Sequence, residues 1–307
     1  METQQSVLSP GGSDAESIAT LSWIMFGSAT AIFLGVLLVT AFAHFGGETL
    51  RRRLASHEFI FYAGIAFPVV TLAALLTYGL MLTGARVMAT EAGALRIEIT
   101  GEQWWWRVRY PTAEVVTANE IRIPAGRQVE IKLSSADVIH SFWVPALAGK
   151  VDMIPGVVNL IRLRAGKTGT YRGQCAEYCG GPHALMAFHV IALEAREFDA
   201  WLVKQQQPAA TASTPAQKQG ANLFMSTGCN GCHAIRGTLA TGTIGPDLTH
   251  VGGRVSIAAA TLPNDAQSFG HWIRGNQHIK PNNRMPPFGI LSDRELAALG
   301  AYLEGLQ

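Results

Sequence analysis

The chain has 307 residues, enough for two or three domains. Hydrophobic residues make up 48% of it and the mean hydropathy is positive, high for a soluble protein and pointing to membrane segments. A net charge of +2 gives no ground for nucleic-acid binding, and the cysteines number four, in two close pairs.

Residues 1–17 are polar and slightly acidic, with no basic stretch of the kind that opens a cleaved signal peptide. Two runs free of Asp, Glu, Lys and Arg follow, Ser17 to Gly47 and Phe59 to Ala85. About 20 apolar residues suffice to cross a bilayer as a helix, so both runs predict membrane spans. Pro68 is tolerable in such a helix. The short loop between them carries Arg51, Arg52 and Arg53, which places that loop in the cytoplasm and both termini outside. His44 and His57 flank it and read as interfacial residues.

From Leu95 to Glu194 the pattern changes to period-two alternation, as in Leu95-Arg96-Ile97-Glu98-Ile99 and Val129-Glu130-Ile131-Lys132-Leu133. Gly- and Pro-containing turns separate these short runs. Spacing of this kind predicts an antiparallel sandwich or Greek-key barrel. Trp104, Trp105 and Trp106 are consecutive, and on a strand such neighbours alternate faces, so they cannot all be core. Packing and membrane-interface anchoring are the plain alternatives for these indoles.

Within this region Cys175-Ala176-Glu177-Tyr178-Cys179 runs into His183 and Met186. Two thiols, an imidazole and a thioether in twelve residues form a soft donor set suited to copper. A single blue-copper ion would use one Cys and two His. A second thiolate suggests two coppers bridged by two sulfurs, with another His from elsewhere. His140, in Asp137-Val138-Ile139-His140-Ser141, is the candidate. A disulfide or thiol-redox pair is the bland reading of Cys175 and Cys179. His189, on a strand, reads as a structural side chain.

Cys-x-Glu-x-Cys-x-x-x-His-x-x-Met after an upstream Asp-Val-x-His-Ser resembles the binuclear copper (CuA) loop of cytochrome c oxidase subunit II. The resemblance implies a cupredoxin-like fold and copper ligation by His140, Cys175, Cys179, His183, Met186 and the Glu177 carbonyl. It also implies that the Glu177 carboxylate reaches a magnesium shared with subunit I. The family carries a Gly-x-Gln-Trp-aromatic-Trp stretch whose first Trp lies between a docked electron donor and the copper, and Trp104 matches that position. The stretch from Val144 to Gly156 matches a loop that faces subunit I, although Val157 stands where the family usually has Arg. The family also has a Glu near the cytoplasmic start of the second membrane helix that feeds a proton channel. Glu58 is the only carboxylate at that depth, and a Glu favoured by the helix dipole reads equally well there.

Residues 196–206 predict a short amphipathic helix built on Phe198, Trp201 and Leu202. Residues 205–219 are rich in Gln, Pro, Ala and Thr and predict a flexible linker spanning about 20 Å. In the last ninety residues Cys229-Asn230-Gly231-Cys232-His233 is the attachment signature of c-type haem, with His233 as proximal iron ligand. Alone, that pattern also fits a thiol-redox or zinc site. An apolar helix start at Ala221–Met225 precedes it, and Gly245-Pro246-Asp247-Leu248 and Met285-Pro286-Pro287-Phe288 follow. A closing helix has Ser292 and Glu295 as a capping box. Together these resemble a small class I cytochrome c, in which Met285 matches the sixth iron ligand. His250, His271 and His278 are rival ligands, and Met225 reads as core. Met/His ligation raises a haem potential, as an electron carrier requires.

These resemblances imply a two-helix transmembrane hairpin (1–90), an all-β cupredoxin-like Greek-key sandwich holding CuA (91–204), a linker (205–219) and an all-α cytochrome c domain (220–307). With both cysteine pairs assigned to cofactors, no structural disulfide is expected. The implied function is electron transfer, from haem c to CuA and on to subunit I of a cytochrome c oxidase in a bacterial inner membrane. Both cofactor domains would be periplasmic, and an external cytochrome c or other one-electron donor would supply them. Oxygen reduction and proton pumping would lie in subunit I. A CuA-containing nitric oxide reductase subunit and a membrane-anchored copper chaperone of thioredoxin fold are the alternatives; a quinol oxidase subunit would lack the copper ligands.

Overall fold

A computed structural model describes residues 3–87 and 93–307. The expected boundary between anchor and β-domain, at 90/91, lies outside the described residues. The two apolar runs form helices long and apolar enough to cross a bilayer. The first is α1 (Ser13–Phe45). A short α2 (Glu48–Leu54) carries the three arginines. The second begins as α3 (His57–Phe61), capped by Ser56, whose hydroxyl accepts the Phe59 N–H. It passes through a π-turn (Tyr62–Ala66) into α4 (Phe67–Val87). Pro68 explains the π-turn: proline has no N–H to donate and its ring crowds the carbonyl one turn back, so the ladder widens just before it.

The β-domain packs two sheets. One has the order β5 (Glu120–Pro124), β11 (Ala187–Leu193), β10 (Gly169–Cys175), β7 (His140–Trp143), β8 (Val151–Met153). The other is β4 (Val115–Ala118), β3 (Trp105–Tyr110), β2 (Leu95–Glu102), β6 (Val129–Ser135), β9 (Asn159–Leu163). The expected sandwich is present, but its sheets are mixed. β5 runs parallel to β11 and β2 parallel to β6, a pairing that alternation within each strand does not report. Among the described residues the strands form this sandwich, with no thioredoxin-like arrangement. Alternation puts Ile97, Ile99, Ile121, Ile123, Ile131 and Leu133 inside, each fully buried. An aromatic cluster joins the sheets. The Phe142 and Phe188 rings stack at 4.7 Å between centroids, and Trp106 meets both edge-on.

Residues expected to belong to the anchor segment join this domain instead. β1 (Thr3–Gln4) pairs in parallel with β10, and Gly11 exchanges backbone hydrogen bonds with Ala146 and Gly166. These polar residues supply donors and acceptors that an open sheet can use, a partner invisible to local pattern.

The amphipathic helix appears as α5 (Ala195–Gln206), with Phe198 buried beside Tyr110. The flexible linker is corrected at both ends. α5 runs through Gln206, and α6 (Pro215–Ser226) starts earlier than the apolar residues suggest. Thr214 caps α6 with Gln217 as its reciprocal partner and Pro215 at the first helical position, a signature stronger than the low-complexity composition around it. Residues 207–214 are themselves tied down. The Ala209 N–H donates to Arg236 O, the Arg236 guanidinium to Gln205 O, and the His250 imidazole to Gln207 O. With α7 (Ala266–Ile279) and α8 (Asp293–Gly305), α6 encloses Phe224, Phe269, Ile273, Leu299 and Leu303. Ser292 and Glu295 form the expected capping box on α8.

Candidate copper and haem centres

The ends of β7 and β10 are hydrogen-bonded neighbours, which brings His140 and Cys175 together. The Cys175 and Cys179 sulfurs lie 3.8 Å apart. A metal about 2.3 Å from each thiolate fits between sulfurs at that separation. His140 Nδ1 lies 3.9 Å from Cys175 Sγ, and His183 Nδ1 3.4 Å from Cys179 Sγ. Met186 Sδ is 3.8 Å from Cys179 Sγ, and the Glu177 carbonyl oxygen 3.2 Å from Cys175 Sγ. The arrangement is near-symmetric, with two central sulfurs, an imidazole on either side and one weak donor near each sulfur. This donor set suits two coppers sharing both thiolates. All six expected donors are brought together.

Neighbours orient these ligands. His140 is fully buried and its Nε2–H donates to the Asp137 carboxylate at 2.9 Å, which leaves Nδ1 facing the sulfurs. Burial works against the Asp137 charge, but the Gln103 N–H and His140 hold its carboxyl below the ordinary range. Without metal the two thiols share a proton: the Cys179 S–H holds the Cys175 thiol down to about 4, while Cys179 is pushed up. Gly101 faces the His140 ring, and a Cβ there would sit 2.7 Å from Cδ2. On the outer side, the Glu177 carboxylate lies 3.5 Å from the Lys150 ammonium, which also pairs with Asp152 at 2.9 Å.

In the helical domain an open-sided cavity is lined by Cys229, Cys232, His233 and Met285, among apolar side chains including Phe269, Trp272, Ile273 and Leu299. His233 Nδ1–H donates to Pro246 O at 2.8 Å, leaving Nε2 as the free ligand atom. Burial pushes its pKa down, which favours the neutral imidazole that iron binding needs. Gly245 clears the ring; a Cβ there would stand 2.6 Å from His233 Cε1. Met285 is held by the Asn283 side chain at its N–H and by Gln277 at its carbonyl. This cradle and donor set fit a covalently attached haem with His/Met ligation. His250, His271 and His278 do not line the cavity, and Met225 packs into the core.

Trp104, just ahead of β3, is 7% exposed and lines this same cavity. Its indole N–H donates to Cys179 O at 3.0 Å, beside a second donor, Gln103 Nε2, at 2.8 Å. Trp106 is core, while Trp105 lies under the Arg107 guanidinium. Glu58 is exposed in the first turn of α3. His189 is buried, hydrogen-bonded to Ser256 and away from the sulfurs, as a structural residue would be.

Several residues at these sites escaped the sequence reading. Asp137 was visible only as part of a motif. Arg254 lines the haem cavity with its Nε buried and without a partner, a fit for a haem carboxylate. Lys280 lines the cavity too, 3% exposed. A cation before Pro-Asn-Asn reads as a solvated loop residue, and only the tertiary structure shows otherwise.

Two family models match the chain: cytochrome C oxidase subunit II, periplasmic domain, over residues 112–193, and cytochrome c over 217–307. The first range contains all the expected copper donors and the second all the expected haem donors; Trp104 falls outside both. Cytochrome c oxidase subunit 2 of Alkalihalophilus pseudofirmus is 40% identical over 212 residues, 69% of this chain and 61% of that protein, so the match spans less than two thirds of that relative. Cytochrome c oxidase subunit 2 of Bacillus subtilis is 30% identical over 294 residues, covering 90% of this chain and 82% of that one. Among solved structures, the periplasmic domain of subunit II of cytochrome oxidase of Bradyrhizobium japonicum matches 39% of this chain and 97% of its own, at 33% identity and a TM-score of 0.37. With its paired helices, its β-domain and its cytochrome c domain, this chain belongs to the cytochrome c oxidase subunit 2 family.

Proposed function

We propose that the chain is the electron-transfer subunit of a membrane-bound terminal oxidase. Electrons would pass from haem c, held by Cys229, Cys232, His233 and Met285, to a binuclear copper centre held by His140, Cys175, Glu177 O, Cys179, His183 and Met186. From there they would go to subunit I, where oxygen is reduced and protons are pumped. Bound copper would supply a one-electron centre. The protein's part is to fix its donors on two stiff strands, through Asp137, Gly101 and the aromatic cluster, so that little has to move when the charge changes. One observation carries this reading: Trp104 forms part of the haem cavity wall while donating to the carbonyl of a copper-site cysteine.

The three arginines of α2 favour a cytoplasmic hairpin, with the cofactor domains on the periplasmic side of a bacterial inner membrane. The half-exposed Glu177 carboxylate would face subunit I and share a magnesium with it, Lys150 then turning fully to Asp152. Glu58 would take up protons for subunit I, and Glu58→Gln should slow turnover with copper and haem spectra intact. An external cytochrome c or other one-electron donor would reduce haem c.

Metal analysis of the purified protein should give two coppers per haem. In stopped-flow reduction by a one-electron donor, haem c should reduce first and copper follow at a rate independent of donor concentration. One copper per haem, or copper reduced ahead of haem, would overturn the proposal.

A further inference from the structure

The haem domain is seated on the copper domain through a polar seam that crosses both. Arg107 donates to Thr243 O at 3.0 Å and Arg122 to Gly253 O at 3.1 Å. The Val255 N–H reaches the Glu120 carboxylate at 2.8 Å, and Arg284, next to Met285, lies 3.7 Å from Asp137. Lys280 is at the centre. Its ammonium donates to Trp104 O at 2.6 Å and to Ala258 O at 3.3 Å. It therefore ties the backbone of the cavity-wall tryptophan to the haem domain's own loop.

We propose that Lys280 is a positioning residue for haem-to-copper electron transfer: it holds the haem domain in one seat, so that the step runs at fixed separation instead of awaiting a tethered search. The inference rests on the reading that haem c feeds the copper centre.

Three further observations support it. A lysine enclosed at 3% exposure is costly, since it gives up water for two carbonyls, and desolvation pushes its pKa down to about 7. Passive packing would use an apolar side chain there. The loop it grips is strained: Ala258, Ala259 and Ala260 all have positive φ, near 52–59°. Such a conformation persists only where its surroundings impose it. Here they do, through Lys280 on Ala258 O, the Ala187 N–H on Ala259 O and Arg172 on Ala260 O. Finally, the connector at 207–214 is bonded to the haem domain and offers little slack for a search.

The test inserts about twelve flexible Gly/Ser residues after Ala210, in the unsubstituted full-length chain and in Lys280→Met. Haem-to-copper transfer is followed by stopped flow, and amide exchange by mass spectrometry at residues 101–106 and 256–260. With Lys280 present, insertion should leave the transfer rate unchanged. In Lys280→Met the rate should fall about tenfold, the loss expected of a hydrogen bond to a charged group. It should fall further with insertion, as the effective concentration of a tethered donor drops with length. Both segments should then exchange faster, with the haem and copper spectra intact. A rate that drops on insertion in the unsubstituted chain, a result obtained without touching the interface, overturns the fixed seat. A Lys280→Met chain with unchanged rate and exchange overturns the role of Lys280. Absence of any haem-to-copper transfer in the unsubstituted chain would instead overturn the functional reading itself.

Discussion

The indole N–H of Trp104 donates to the backbone carbonyl of Cys179 at 3.0 Å, linking residues 75 positions apart across the edge of the copper site. The same indole lines the haem cavity, so it spans from that cavity to the loop of the proposed copper site. Trp104→Phe should keep the cavity wall and remove the bridge. Gln103 Nε2 still satisfies that carbonyl, so the stability cost should be about 1 kcal/mol, one ordinary hydrogen bond. Copper and haem spectra should be retained and haem-to-copper transfer slowed. Stopped-flow transfer at the unsubstituted rate would exclude Trp104 from the route.

The cluster proposed to hold copper was legible because four of its side chains lie within twelve positions and their chemistry is distinctive. The proposed haem-attachment motif was legible for the same reason. Trp104, Lys280 and Asp137 act across separations of 34 to 176 residues, through backbone carbonyls and N–H groups that every residue type carries. No local pattern encodes such partners. The parallel pairings of β2 with β6 and β5 with β11 were hidden likewise, since alternation reports which face of a strand is buried but not its direction. The linker is shorter than its composition suggests because the Thr214-Pro215-Ala216-Gln217 cap, itself present in the sequence, starts α6 within the low-complexity stretch.

Gly101 tests the shell behind the copper ligands. An added Cβ would meet His140 Cδ2 at 2.7 Å, and that ring is held by Asp137 and by its place on β7. Gly101→Ala should destabilise the β-domain by about 1–3 kcal/mol, as overpacking does. It should also displace Nδ1 from the sulfurs. Copper titration of the purified variant should show weaker binding than the parent; equal affinity and equal thermal stability would mean the ring has room to move.

Acid should loosen the haem domain through its helix caps. Asp265 caps α7, its carboxylate accepting the Ser268 N–H at 2.7 Å, and that bond and the Ser268 hydroxyl hold its pKa below the ordinary 3.8. A carboxyl depressed in the folded state stabilises it above the ordinary value, and that contribution is lost as pH falls through the folded one. Glu295 behaves in the same way at α8, held down by Ser292. The melting temperature read from the haem band should therefore fall between about pH 5 and pH 2. In Asp265→Asn, which keeps a cap without the charge, the fall should be shallower. An identical slope in the two proteins would remove Asp265 from the acid response.

The left-handed alanines make the sharpest stability prediction. An L-residue at positive φ crowds its Cβ against the following carbonyl, at a cost of about 1–2 kcal/mol that glycine escapes. Glycine gives back about 0.5–1 kcal/mol in unfolded-chain entropy, so the net gain at a suitable position is on the order of 1 kcal/mol or less. Ala260 is only partly buried, and Ala260→Gly should raise the melting temperature of the haem domain by a few degrees. Ala259 has the same φ of 59° but is 1% exposed. Removing its methyl forfeits about 0.8 kcal/mol of buried area, which cancels the relief, so Ala259→Gly should be close to neutral. Differential scanning calorimetry of both variants separates the two effects. Stabilisation by Ala259→Gly equal to that of Ala260→Gly would mean that its methyl contributes nothing to the seam, and a loss in both would mean that the loop carries no strain.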